Sequence, residues 1–161
     1  MLPMNGKSEL NTSFKGKTLY AAYGSNLDKE QMDGRCPHNE IFATGDIVGY
    51  RLAMPFYADI EPCQSASTPC LLYLVSESDM AELDRREGVF IGCYYKITVN
   101  VMTSKGNFTA LAYIMTDDYR VRGPSSSVPD SYIGKIKRAY DRYGFDNKHL
   151  YSAIERKCSK R

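Results

Sequence analysis

Two short segments of this chain carry residue types that can hold a small polar molecule and move a proton. The first is Leu19-Tyr20-Ala21-Ala22-Tyr23-Gly24-Ser25-Asn26-Leu27. It reads as an apolar strand running into a Gly-Ser-Asn turn. Gly24 removes a side chain where a ligand would approach the backbone and permits positive φ. Ser25 and Asn26 bend the chain by bonding their own backbone. Asp28 and Gln31 follow at capping-box spacing, so a helical turn should start there. A strand, turn and helix in this order leave backbone N–H groups converging on one point, a geometry suited to a carboxylate or a developing oxyanion. The second segment runs from Ser76 to Gly88 and reads as one helix, capped by Ser76 with Asp79 and stopped by Gly88. Met80 and Leu83 form its apolar stripe, and Glu87 extends that stripe four residues after Leu83. A carboxylate at the end of a core-facing stripe is desolvated and its pKa raised, the profile of a general base. The competing reading of each segment is plain: a βα turn, and a helix-terminal Glu turned to solvent.

The elements that must position these residues follow from pattern. The first strand spans residues 18–23. A long extended segment at 41–54 is interrupted by Gly45 and Gly49, which suggest bulges or close backbone approach. Residues 61–69 read as a loop from their Ser and Pro content, and 70–75 as a continuous apolar strand. Residues 93–102 and 107–115 form a hairpin around Ser104-Lys105-Gly106. Residues 124–129 read as an exposed loop. Two helices follow, one with Tyr132, Ile136, Tyr140 and Tyr143 near one stripe, the other with Leu150 and Ile154. About six strands and a few helices in mixed order predict an α+β fold with a curled, largely antiparallel sheet. Residues 1–15 lack periodicity and read as a flexible N-terminal extension, leaving 16–161 as one domain.

Composition narrows the function classes. The chain has 161 residues, enough for a single core without staples. With 21 basic and 19 acidic residues it carries no electrostatic footprint for nucleic acid. Five cysteines, with no C-x-x-C, suggest a reduced protein of the cytoplasm rather than a disulfide scaffold. No apolar run reaches the length of a membrane span, and the first residues lack a signal-peptide core. Cys36-Pro37-His38 would suit a thiol site or half a metal site, but no second ligand pair has zinc-like spacing. No metal and no cofactor is therefore expected.

Taken in order, a series of motifs sharpens the reading. It comprises Tyr23-Gly24-Ser25-Asn26-Leu27, Arg35-Cys36-Pro37, Leu83-Asp84-Arg85-Arg86-Glu87-Gly88, Gly92-Cys93-Tyr94, Ala112-Tyr113-Ile114-Met115, Pro124-Ser125-Ser126, and Tyr132 opening a helix. The series resembles the gamma-glutamylcyclotransferase family over about residues 17–154. The resemblance implies a small closed or nearly closed six-stranded mixed β-barrel with helices packed outside. It implies release of 5-oxoproline and a free amine from a small-molecule γ-glutamyl amide, the substrate's own α-amine being the nucleophile. Glu87, from the Glu-Gly-x-x-x-Gly-x-Tyr pattern, would be the general acid/base. Backbone groups of Tyr20, Ala21, Ala22, Tyr23, Gly24, Ser25, Asn26 and Leu27 would grip the glutamyl carboxylate or the oxyanion. Tyr94, Tyr113 and Tyr132 would line the pocket, Tyr94 orienting the base or the substrate. A homodimer is left open. The Tyr-Gly-Ser-Asn-Leu loop is more similar to the branch acting on γ-glutamyl-amino acids than to the γ-glutamylamine branch.

This chain departs from the pattern at Cys70, which precedes an apolar strand where relatives often have a small residue. It also has Arg120 and Arg122 in a segment expected to border the exit side of the pocket, where they would favour leaving groups with a free carboxylate. Two other functions compete: a non-catalytic small-molecule-binding protein on the same fold, and a thiol hydrolase built on Cys36 and His38.

Overall fold

The computed structural model of the protein describes residues 13–14, 16–124 and 128–159. Ser125 and Ser126 of the expected Pro124-Ser125-Ser126 motif and most of the N-terminal extension lie outside the described residues, although Ser13–Phe14 form a short strand, β1. The other strands are β2 (Lys17–Ala22), β3 (Glu40–Ala53), β4 (Asp59–Val75), β5 (Tyr94–Thr103) and β6 (Gly106–Met115). The helices are α1 (Lys29–Arg35), α2 (Glu77–Arg86), α3 (Asp117–Arg122), α4 (Asp130–Tyr143) and α5 (Lys148–Ser159).

The sheet order is β1-β2-β4-β3-β5-β6. A parallel pairing of β2 with β6, at Tyr20 and Leu111, closes it. All other pairings are antiparallel, so the barrel is mixed. Six strands are present, as expected, but only five close the ring. β1 pairs with β2 alone and stays outside the closure.

Cross-strand register sorts the side chains. Leu19 and Leu74, Ala21 and Leu72, Ile97 and Ala112, Val99 and Ala110, and Ile47 and Val101 are partners on one face. That face is mainly apolar, with Thr68 opposite Ile47 as a polar exception, and fills the lumen. Tyr20 with Tyr73, and Tyr113 with Lys96, lie on the other face, the same one that exposes Thr98 and Asn100 to water. The tyrosines there are covered by α2 and the turn after β2. The site therefore lies between the barrel wall and its helices rather than inside the barrel.

One expected loop is strand. Residues 61–69 lie within β4, with Pro62 opposite Tyr50 and Pro69 opposite Asp46. The register slips between Val48 and Tyr50, where Gly49 takes φ +83°. The slip absorbs the extra residues 63–66. Thr68, fully buried, ties the two strands by donating from Oγ1 to the Tyr50 carbonyl at 2.9 Å. Long-range pairing overrides the local turn chemistry of Ser and Pro here.

Candidate active site

The turn after β2 is a short 3-10 helix at Ser25–Leu27. Gly24 opens it at φ −115°, so positive φ is not why glycine stands there. A Cβ at Gly24 would approach Ala58 Cβ to 3.0 Å and the Tyr132 hydroxyl to 3.5 Å. Close approach of two backbones explains the residue. No side chain caps the N-terminus of this turn. Asp28 caps α1 by accepting from the Gln31 N–H at 3.2 Å. The reciprocal half of the expected capping box does not form. The Gln31 side chain instead donates to Ser25 Oγ and Asn26 Oδ1, both at 2.9 Å.

That choice builds a polar network. Asn26 Oδ1 also accepts from Arg35 at 3.1 Å, while Asn26 Nδ2 donates to the Tyr20 hydroxyl at 3.0 Å. The Asn26 carbonyl accepts from the Tyr73 hydroxyl at 2.7 Å. Lys135 of α4 closes the network by donating to Gln31 Oε1 at 2.7 Å. Satisfied buried networks of this kind fix their members in one arrangement.

The helix α2 begins as expected, with Ser76 accepting from the Asp79 N–H at 3.1 Å. It ends with Glu87 as the last helical cap, its N–H bonded to the Leu83 carbonyl at 2.8 Å. Gly88 then takes φ +64°, and a Cβ there would meet Cys93 Sγ at 3.0 Å. Only glycine satisfies both demands without strain. Asp84, one turn earlier, docks the helix to the barrel. It accepts from the Tyr113 hydroxyl at 2.6 Å and pairs with Lys96 at 3.0 Å.

These parts converge on a cavity of about 440 Å³. Of the residues expected at the site, Glu87, Tyr20, Tyr23, Gly24, Ser25, Asn26, Tyr94, Tyr113 and Tyr132 line it. Ala21, Ala22 and Leu27 do not; their side chains are packed in the core. Burial pushes the Glu87 carboxyl up to about 7, and the nearby Arg35 guanidinium partly opposes that rise. Glu82, on the same helix, is held far lower by hydrogen bonds from Arg85 and Arg86. One helix thus presents two carboxylates with opposed proton affinities, and only Glu87 faces the cavity.

The tyrosines divide by how their hydroxyls are used. Tyr23 donates to the Tyr113 carbonyl, and Tyr113 to Asp84. Tyr94 donates to the Ala58 carbonyl at 2.9 Å, so its proton is committed to the scaffold rather than to a base or ligand. Tyr20 and Tyr132 instead accept, from Asn26 and from the Ala58 N–H at 2.9 Å. Their own protons are left for the cavity. Burial raises the pKa of both, and the Glu87 charge adds to the rise, so both stay protonated donors at neutral pH.

The lining also includes Gln31, Arg35, Tyr57, Ala58, Ile91 and Tyr119, none of which had a role at the site in the sequence reading. Arg35 was visible in the Arg35-Cys36-Pro37 motif, but only the fold turns it toward Glu87. Among the described residues no carboxylate lies within ion-pair reach of it. Two expectations are overturned. Arg120 does not border this cavity; it is clamped between Asp59 at 2.8 Å and Glu61 at 3.2 Å. Arg122 is 79% exposed and pairs with Asp118 on its own helix. The helix-forming run Asp117–Arg122, capped by Thr116, turns the two arginines away. A Cys36–His38 thiol site is also excluded by geometry. Cys36 is fully buried, donates to the Asp79 carbonyl and has its thiol pushed up to about 12, while His38 is exposed. Among the described residues no group of His, Cys, Asp and Glu side chains converges to hold a metal ion.

The family model for the AIG2-like family matches residues 70–143, the stretch that carries α2, Glu87, β5, β6 and α4. No curated protein matches the chain in sequence. Solved structures do match in fold. A gamma-glutamyl cyclotransferase superposes with a TM-score of 0.69 at 24% identity, covering 86% of each chain. An uncharacterized human protein gives 0.70 at 24% identity, covering 87% of this chain and 88% of the other. A yeast gamma-glutamyl cyclotransferase specific to glutathione gives 0.55 at 12% identity, covering 91% and 97%. The fold is thus that of the gamma-glutamyl cyclotransferase-like proteins. The resemblance drawn from the sequence agrees with this fold, and its Leu83–Gly88 motif falls inside the stretch that the family model matches.

Proposed function

We propose that this protein is a gamma-glutamylcyclotransferase that releases 5-oxoproline and a free amine from a γ-glutamyl amide, with Glu87 as general acid/base. The observation that carries the reading is the Glu87 carboxyl, raised to about 7 at the wall of a cavity that also holds an uncapped turn and two hydroxyls free to donate. The substrate's α-ammonium is charged at neutral pH and cannot attack. A base poised near 7 accepts its proton and can later return it. The freed α-nitrogen then bonds to the γ-carbonyl carbon, and negative charge passes to the carbonyl oxygen. Glu87 passes the ammonium proton to the leaving nitrogen and, ionised again, takes the second proton from the newly bonded ring nitrogen. Collapse then breaks the bond to the amine, and the proton left on Glu87 goes to the freed amine. The products are 5-oxoproline and the amine.

The remaining groups fit the other demands of this chemistry. Arg35 and the amides at the start of the turn suit the α-carboxylate of a zwitterionic head group, whose ammonium faces Glu87. The hydroxyls of Tyr20 and Tyr132 suit the developing oxyanion. Holding the five-membered ring precursor folded can supply about 7–11 kcal/mol of the barrier. The four free cysteines among the described residues are in keeping with a reducing compartment such as the cytoplasm.

The test is incubation with a panel of γ-glutamyl dipeptides in the presence of EDTA, with products identified by mass. The expected product is 5-oxoproline. Glutamate would indicate hydrolysis, and binding without turnover would indicate a binding protein; either result rejects the reading.

A further inference from the structure

The cavity beside Glu87 has two chemically different sets of lining residues. Ser25, Asn26, Gln31 and Arg35 are polar and, at Arg35, cationic. Tyr57, Tyr94, Tyr119 and Tyr132 are aromatic and belong to one wall of ring contacts, joined through the buried Phe56. Tyr132 packs on Tyr57 with ring centroids 5.2 Å apart, Tyr57 on Phe56 at 5.9 Å, Phe56 on Tyr119 at 5.0 Å, and Tyr119 on Tyr94 at 5.9 Å. At the rim of that wall the 3-10 turn Val89–Ile91 holds Ile91 82% exposed and Phe90 87% exposed. Ile91 lines the cavity itself, and Tyr57 is 40% exposed. Large apolar side chains grouped in water beside a cavity gain free energy when an apolar group covers them.

The direction of the substrate follows from the proposed chemistry. The γ-carbonyl stands at Glu87, and the head group folds back toward Arg35. The amine substituent must then point away from Arg35, toward the aromatic wall. Among the described residues, Arg120 is tied to Asp59 and Glu61, and Arg85 and Arg86 at the rim share the one carboxylate of Glu82. Resting on the cyclisation proposed above, we infer that the amine this protein releases carries an aromatic or branched apolar side chain, bound by Tyr57, Tyr119 and Ile91, rather than an acidic side chain.

The test compares kcat/KM for γ-glutamyl-phenylalanine, γ-glutamyl-alanine and γ-glutamyl-glutamate, scored by 5-oxoproline release. The phenylalanine amide should exceed the alanine amide by at least about tenfold, the discrimination apolar pockets achieve, and the glutamate amide should be the poorest. Ile91→Ser and Tyr57→Ala should lower kcat/KM for the phenylalanine amide several-fold more than for the alanine amide. A flat series, or a preference for the glutamate amide, overturns the inference while leaving the cyclisation intact. Absence of 5-oxoproline from every amide overturns both.

Discussion

At the scale of single residues, the behaviour of Glu87 is set by desolvation, and this has a consequence for stability. Its carboxyl is raised from 4.5 to about 7 in the folded protein. The folded state therefore binds the proton more tightly than the unfolded chain. The stability this provides is fully present below about pH 4.5 and is lost as pH rises through about 7. Glu87→Gln removes the cost of burying the charge. Its unfolding free energy should exceed that of the native protein at pH 8, by up to about 3 kcal/mol at ~1.4 kcal/mol per pH unit, and the gain, read by denaturant titration, should shrink toward pH 5. Equal differences at both pH values would mean the carboxyl is not desolvated. Catalysis should show the mirror image, because only the ionised base accepts a proton: kcat/KM should rise through about pH 7. Arg35 is the cation that tempers Glu87. Arg35→Gln should move that limb to higher pH and raise KM for the zwitterionic head group; an unchanged limb with an unchanged KM would remove Arg35 from the site.

At the scale of elements, α2 is the arm that carries Glu87, the proposed base, and its two ends set the position of that carboxyl. Gly88 at φ +64° turns the chain back against Cys93. Gly88→Ala should cost about 1–2 kcal/mol from the left-handed backbone alone, and the Cys93 contact adds to it. Because the strain falls beside Glu87, kcat should drop with stability. A chemical-denaturation curve and a turnover assay on the same preparation would check both; loss of stability with native kcat would mean the base is positioned from elsewhere. Much of this arm was legible in the sequence. Ser76, Asp79 and Gly88 announce its start and stop through chemistry confined to one or two turns. The role of Asp84 was not legible, because its partners Tyr113 and Lys96 lie on strands far along the chain. The same limit hid the strand character of residues 61–69, where pairing with β3 outweighs Ser and Pro, and it misdirected Arg120. That guanidinium is drawn to Asp59 and Glu61, which a reading of local sequence cannot bring near it.

At the scale of the whole molecule, the barrel separates structure from chemistry. Its lumen is filled by Leu19, Ala21, Leu72, Val99 and Ala112, while the strand tyrosines Tyr20, Tyr94 and Tyr113 face outward toward the site. The α+β class and the mixed barrel were legible from strand count and motif order. The closure by five strands rather than six was not, because it depends on a single parallel contact between Tyr20 and Leu111. In the proposed reading the Gly24–Asn26 turn and Arg35 hold the head group independently of Glu87, so binding and turnover should be separable. The decisive measurement is calorimetric binding and single-turnover 5-oxoproline release for a γ-glutamyl dipeptide with native protein, Glu87→Gln and Glu82→Gln. Glu87→Gln should bind the dipeptide but release 5-oxoproline about 10²–10⁴ times more slowly, while Glu82→Gln should match the native rate. Near-native release by Glu87→Gln, or equal damage from Glu82→Gln, would contradict the assignment of Glu87 as the base.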